Sequence, residues 1–128
     1  MSKKIVLVGH CGADTAYLKM AVKQAEPAAT ITTVDSDVEL KNALVDGADL
    51  VLINRLVDWG FESNEGVEIV RHFAKAFPKA KMMLVSNHES AHAAAVQAGG
   101  LHGFGKREIG SPKVKQVIQR ALGTGVTV

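Results

Sequence analysis

The sequence predicts an α/β protein in which a parallel sheet lies between two layers of helices. Three observations predict it. Short apolar runs with no polar alternation, Ile5–Val8, Leu50–Ile53 and Met82–Val85, read as strands buried on both faces. Apolar residues at helical spacing fall between these runs. Turn residues, among them Pro27, Gly47, Pro78 and Gly99-Gly100, close each unit before the next begins.

Taken in order, Ile5–Val8 is the first strand. Leu18, Ala21, Val22 and Ala25 then make one helical stripe, which Pro27 stops. Thr30–Val34 is β-branched throughout and reads as the second strand. Ser36 or Asp37 can cap a short helix carrying Leu40, Ala43 and Leu44, with Gly47 as its stop. Leu50–Ile53 is the third strand, and a polar, glycine-containing loop runs to about Asn64. Val67, Val70, Phe73, Ala74 and Phe77 share one face of the third helix, ended by Pro78. Met82–Val85 is the fourth strand. Ser90–Ala98 is alanine-rich and helical. Leu101–Gly105 reads as a glycine-broken fifth strand. Ser111-Pro112 opens a last helix, with an N-cap followed by proline at the first helical position. Val114, Val117, Ile118, Ala121 and Leu122 form its stripe, and residues 123–128 are expected to be a flexible tail.

Composition narrows the function classes. The 128 residues suit one domain, so 1–128 is read as a single unit with enough chain for one core. Hydrophobic residues at 47% and charged residues at 22% exclude a disordered chain. No apolar run approaches the ~20 residues needed to span a bilayer, and Ile5–Val8 is too short for a secretory signal. The single cysteine, Cys11, excludes an internal disulfide and fits a reducing cytoplasm. A net charge of +2 is too small to argue for nucleic acid. The surplus sits in residues 106–128, where Lys106, Arg107, Lys113, Lys115 and Arg120 face one acid, Glu108. That segment is either a solvated helix face or a surface that attracts an acidic partner.

In a sheet of this kind, ligands sit beyond the carboxyl ends of the strands. The residues there are Gly9, His10 and Cys11, then Asp35, then Asn54 and Arg55, then Ser86, Asn87 and His88, then Lys106. A phosphoryl-accepting site on this architecture needs a carboxylate after the third strand and two acids after the first to hold magnesium through oxygen. It also needs a hydroxyl after the fourth strand and a lysine after the fifth. Ser86 and Lys106 supply the last two. Asn54 stands where the nucleophile belongs, and Gly9-His10 where the acids belong. An amide oxygen is a poor nucleophile, and imidazole suits a hard magnesium ion badly.

These residues resemble the receiver domains of two-component response regulators, over about residues 3–122. Ala48–Asn54 resembles the phosphoacceptor strand with asparagine in place of aspartate. Asn64–Val70 resembles the glycine-started third helix. Val85-Ser86 matches the hydroxyl position, and Gln97–Gly100 followed by Lys106 matches the segment near the family's end. The resemblance implies a flavodoxin-like, CheY-like (βα)5 three-layer αβα sandwich with strand order 2-1-3-4-5. Arg107 replaces the proline that usually follows the lysine. Gly103 occupies the aromatic switch position, with Phe104 displaced by one. The chain is thereby similar to a degenerate receiver whose phosphorylation-site positions are Gly9, His10, Asn54, Ser86 and Lys106. The resemblance implies no catalysis, cofactor or metal. It implies a cytoplasmic signalling role through a protein partner or a second copy of the chain, with neither nucleic acid nor membrane involved. The partner face it implies carries Ala93, Ala94, Ala95, Lys106, Arg107 and Lys113.

Other patterns offer competing chemistry. Arg55, Ser86 and Lys106 could hold a small anion in the residual pocket. Lys106 could instead bond Asn54 or a strand-end carbonyl, or pair with Asp14 or Asp58. Asp58 as a substitute acceptor lacks a metal to organise the phosphoryl group. Gly9-x-x-Gly12 with Asp35 hints at a dinucleotide site, but Cys11 and Asp14 fill the positions of the second and third glycines. His10, Cys11 and His88 could approach a soft metal, yet no paired ligand motif supports it. His72, His92 and His102 are expected at the surface.

Overall fold

Five strands alternate with five helices along the chain, in the order the sequence predicts. The structure, a computed structural model, describes residues 3–57, 61 and 63–123. The elements are β1 (Lys4–Val8), α1 (Gly12–Ala25), β2 (Thr30–Val34), α2 (Asp37–Val45), β3 (Leu50–Asn54) and α3 (Gly66–Ala76). They continue as β4 (Met82–Val85), α4 (Glu89–Gln97), β5 (Leu101–Phe104), a 3-10 turn (Lys106–Glu108) and α5 (Pro112–Leu122). The sheet is parallel with strand order 2-1-3-4-5. The expected tail from Thr124 onward and the loop residue Asp58 lie outside the described residues.

The central strands send alternate side chains to opposite cores, which is why their sequences show no polar alternation. Ile5, Leu7, Leu50, Leu52, Met83 and Val85 pack against α1 and α5. Val6, Val8, Val51, Ile53, Met82 and Leu84 pack against α2, α3 and α4. β2 is an edge strand and leaves Thr30, Thr32 and Thr33 exposed.

Local chemistry sets the element ends. Ser36 Oγ accepts from Glu39 N at 3.1 Å, while Glu39 Oε1 accepts from Asp35 N at 3.0 Å. Gly47 turns the chain after α2 in the left-handed region, at φ 92°. Two expectations change. β5 ends at Phe104 rather than Gly105, because the chain turns at once into the 3-10 segment. Ser111 precedes Pro112 as expected, but its hydroxyl makes no capping bond and is buried without a partner.

Gly66 positions the site. A Cβ there would run into the carbonyl of Asn54, so only glycine lets α3 start against the end of β3.

Candidate functional site

The parallel order brings the ends of β1, β3 and β4 together beside the 3-10 turn after β5. The first of the expected site positions, Gly9, adopts φ 71°, and a Cβ there would stand 2.5 Å from Val57 Cγ1. A carboxylate at this position would therefore meet both backbone strain and a buried side chain.

His10 turns inward. Its Nε2 donates to the Leu52 carbonyl at 2.9 Å; that acceptor assigns the proton to Nε2. Nδ1 is then a buried lone pair without a partner. Burial pushes the imidazole pKa below its ordinary value, and the charge of Lys106 adds to this; the Leu52 carbonyl and Asp14 oppose it and are outweighed. The folded protein thus holds His10 neutral where the unfolded chain would protonate it. Its contribution to stability is present above about pH 6.5 and is lost as pH falls through that value towards the folded pKa. His10→Gln keeps a donor for Leu52 and removes the titration. Between pH 7 and 5, its melting temperature is expected to fall less steeply than that of the wild type; parallel curves would contradict the assignment.

Asn54 is held by carbonyls. Its Nδ2 donates to Gly9 O at 3.2 Å and to Leu56 O at 2.9 Å. The bond to Leu56 is the local backbone bonding expected of a strand-end asparagine, and the bond to Gly9 ties β3 to the end of β1. Ser86 is buried; its Oγ accepts from His88 N at 3.1 Å, and its own N–H donates to Phe104 O at 2.9 Å. Lys106 reaches across to α1, where its Nζ lies 3.2 Å from Asp14 Oδ2. Among the described residues, Asp14 is the expected partner that receives Lys106.

Two crevices flank Asn54. One, of about 340 Å³, is lined by Gly9, His10, Cys11, Asp35 and Phe61 together with Asn54. The other, of about 290 Å³, brings Asn54, Arg55, Ser86, Asn87, His88 and Lys106 together. The three residues expected to bind an anion therefore share one opening. The donor set does not fit magnesium: glycine offers no ligand side chain, the free His10 Nδ1 is an imidazole nitrogen unsuited to a hard ion, and Asn54 turns to carbonyls an amide nitrogen that cannot ligate. Among the described residues, no three or more His, Cys, Asp or Glu side chains are placed to hold a metal ion. Cys11 is free and exposed, and its Sγ caps α1 by accepting from Asp14 N at 3.4 Å.

His92 corrects an expectation. It is buried at 3% exposure rather than on the surface. Its Nε2 donates to the Ser86 carbonyl at 2.7 Å, and its ring stacks on His102 with centroids 4.7 Å apart. In the folded helix His92 lies three residues before the buried Ala95, on the same face. His102 is exposed as expected. Its hydrogen bond to Glu89 raises its pKa above the ordinary value.

The expected partner face is also revised. Ala93 is exposed and Ala94 half-buried, but Ala95 is fully buried in the core beneath α4. Lys106 turns to Asp14, whereas Arg107 bonds Asn87 through its backbone N–H and Lys113 pairs with Glu108 at 2.8 Å. Sequence reading missed Leu101, the exposed apolar residue of the edge strand β5.

No protein-family model matches the chain, and no curated protein matches it. Solved structures do. A putative response regulator from Chloroflexus aurantiacus superposes with a TM-score of 0.77 at 12% identity, over 96% of this chain and 99% of that one. The receiver domain of a DNA-binding response regulator from Colwellia psychrerythraea gives 0.74 at 14%, over 95% and 99%. The Salmonella typhimurium RcsB response regulator gives 0.74 at 12%, over 99% of this chain and 63% of that one. The fold is that of a receiver domain. No helix among the described residues is long and apolar enough to cross a membrane.

Proposed function

We infer that residues 1–128 act as a phosphorylation-independent, receiver-like regulatory domain that signals through protein contact. Asn54 carries the reading. Its amide donates to two carbonyls, so the place of a nucleophile is taken by a structural donor. An aspartate there would face the same two carbonyls with a negative charge and leave them unpaired. Gly9 and His10 supply no side-chain oxygen beside it, and Asp35 is the one carboxylate among the described residues that line its crevice. The domain has no catalytic residue on this reading. The surface formed by the exposed Ala93, Arg107 and Lys113 and the half-buried Ala94 is its contact face, for a signalling protein or a second copy of the chain. The free thiol of Cys11 suits a cytoplasmic location.

The test is intact mass after incubation with acetyl phosphate and magnesium. Neither the wild type nor Asn54→Asp is expected to gain a phosphoryl group, because restoring one carboxylate does not restore the metal site. Asn54→Asp is also expected to lose about 1–3 kcal/mol of stability. A phosphoryl adduct on an acidic residue of the wild type would overturn the reading.

A second reading, a small-anion domain, is favoured by the convergence of Arg55, Ser86 and Lys106 on one crevice. A rise of several degrees in melting temperature with phosphate or a nucleotide would support it over a purely protein-binding role.

A further inference from the structure

A further cavity stands apart from the strand ends. A groove of about 550 Å³ runs between the free edge of β5 and α5. Met83, Leu101 and Val117 form its apolar part, and Lys81, Lys113 and Arg120 its charged part; none of its lining residues is acidic. On α5, Lys113, Val117 and Arg120 follow one another at i, i+4 and i+7. The two cations therefore stand about 10 Å apart along the helix, with an apolar residue between them.

The cations are not equivalent. Lys113 is already held by Glu108 at 2.8 Å. Lys81 donates to the Ala121 carbonyl at 2.6 Å, which fixes its ammonium at the end of α5 beside Arg120. Arg120 makes no ion pair among the described residues. Uncompensated positive charge is thus concentrated at the Lys81–Arg120 end. Apolar surface leads away from it to Leu101, which is 38% exposed.

We propose that this groove binds a small amphipathic anion, a molecule with one carboxylate, sulfonate or phosphate group on an apolar body. The anionic group lies against Arg120 and Lys81, where a guanidinium can take two oxygens at once. The apolar body lies over Val117 and Leu101. The volume falls within the range of about 300–1,000 Å³ that small-molecule sites occupy. The proposal is independent of the reading of Asn54 and holds or fails without it.

The probe is 1-anilinonaphthalene-8-sulfonate, which carries one sulfonate on an aromatic body. Its fluorescence is followed during titration into the folded protein at neutral pH, with circular dichroism to confirm the fold of each variant. Saturable binding at one site is expected, weakening as salt is raised. Arg120→Glu and Leu101→Asp, both at exposed positions, are each expected to weaken binding about tenfold or more. Lys113→Glu is expected to weaken it less, because Glu108 already balances that charge. Lys19→Glu, on α1 with the same change in net charge, is expected to bind like the wild type. Absence of saturable binding would overturn the proposal. So would affinity unchanged by both Arg120→Glu and Leu101→Asp, or lost equally in Lys19→Glu.

Discussion

Gly103→Ala is expected to destabilise the protein by about 3 kcal/mol or more, a large share of the 5–15 kcal/mol that holds a typical domain together. The cause is backbone, not side chain. From Met83 to Val85, β4 takes two steps, while β5 takes three from Leu101 to Phe104. The extra residue makes a bulge. It presses Gly103 onto the main chain of Leu84, whose carbonyl oxygen a Cβ would strike. Leu84 lies in a strand paired on both sides and buried throughout, so it cannot withdraw. Urea unfolding measures the loss; a change below about 0.5 kcal/mol would show that the bulge relaxes. The result bears on the sequence resemblance, which implies a switching aromatic at this position. No side chain can stand at Gly103 here, whatever its chemistry.

Phe104→Ala is expected to lose about 3–5 kcal/mol, and Phe104→Leu less than about 1.5 kcal/mol. Phe104 is 1% exposed and belongs to the core formed with α1 and α5. The bulge moves the aromatic one residue along β5, to a position in register with Val85. An aromatic that swings outward would empty this core. Phe104 is therefore a packing residue, and the two substitutions separate volume from ring chemistry. A loss below about 1 kcal/mol for alanine, on the order of a surface change, would contradict the packing role.

Much of this was legible from residue order. The apolar runs of β1, β3 and β4 predicted burial on both faces, and each is divided between the two cores. The β-branched Thr30–Val34 was readable as a strand, but not as an edge strand with three exposed threonines. His92 was misplaced because an alanine-rich helix hides its inner face; small residues occur on both sides. Ala95 was assigned to the surface for the same reason. That Asn54, Ser86 and Lys106 stand at the strand ends was readable from the order of the chain. Their partners were not, although Asp14 stood among the expected acceptors for Lys106.

Element order, two-faced burial and the kinds of functional group at each strand end were determined by the sequence itself. These depend on residue identity and on periodicity within a few positions of the chain. Only the tertiary structure decided that Asn54 would bond Gly9, that His10 would reach Leu52, that His92 would lie under Ser86 and that β5 would bulge against Leu84. Each of those outcomes depends on how neighbouring strands and helices are brought side by side. Two of them join groups more than 40 positions apart. No local pattern encodes such a distance, and close packing fixes it only once the whole sheet is assembled.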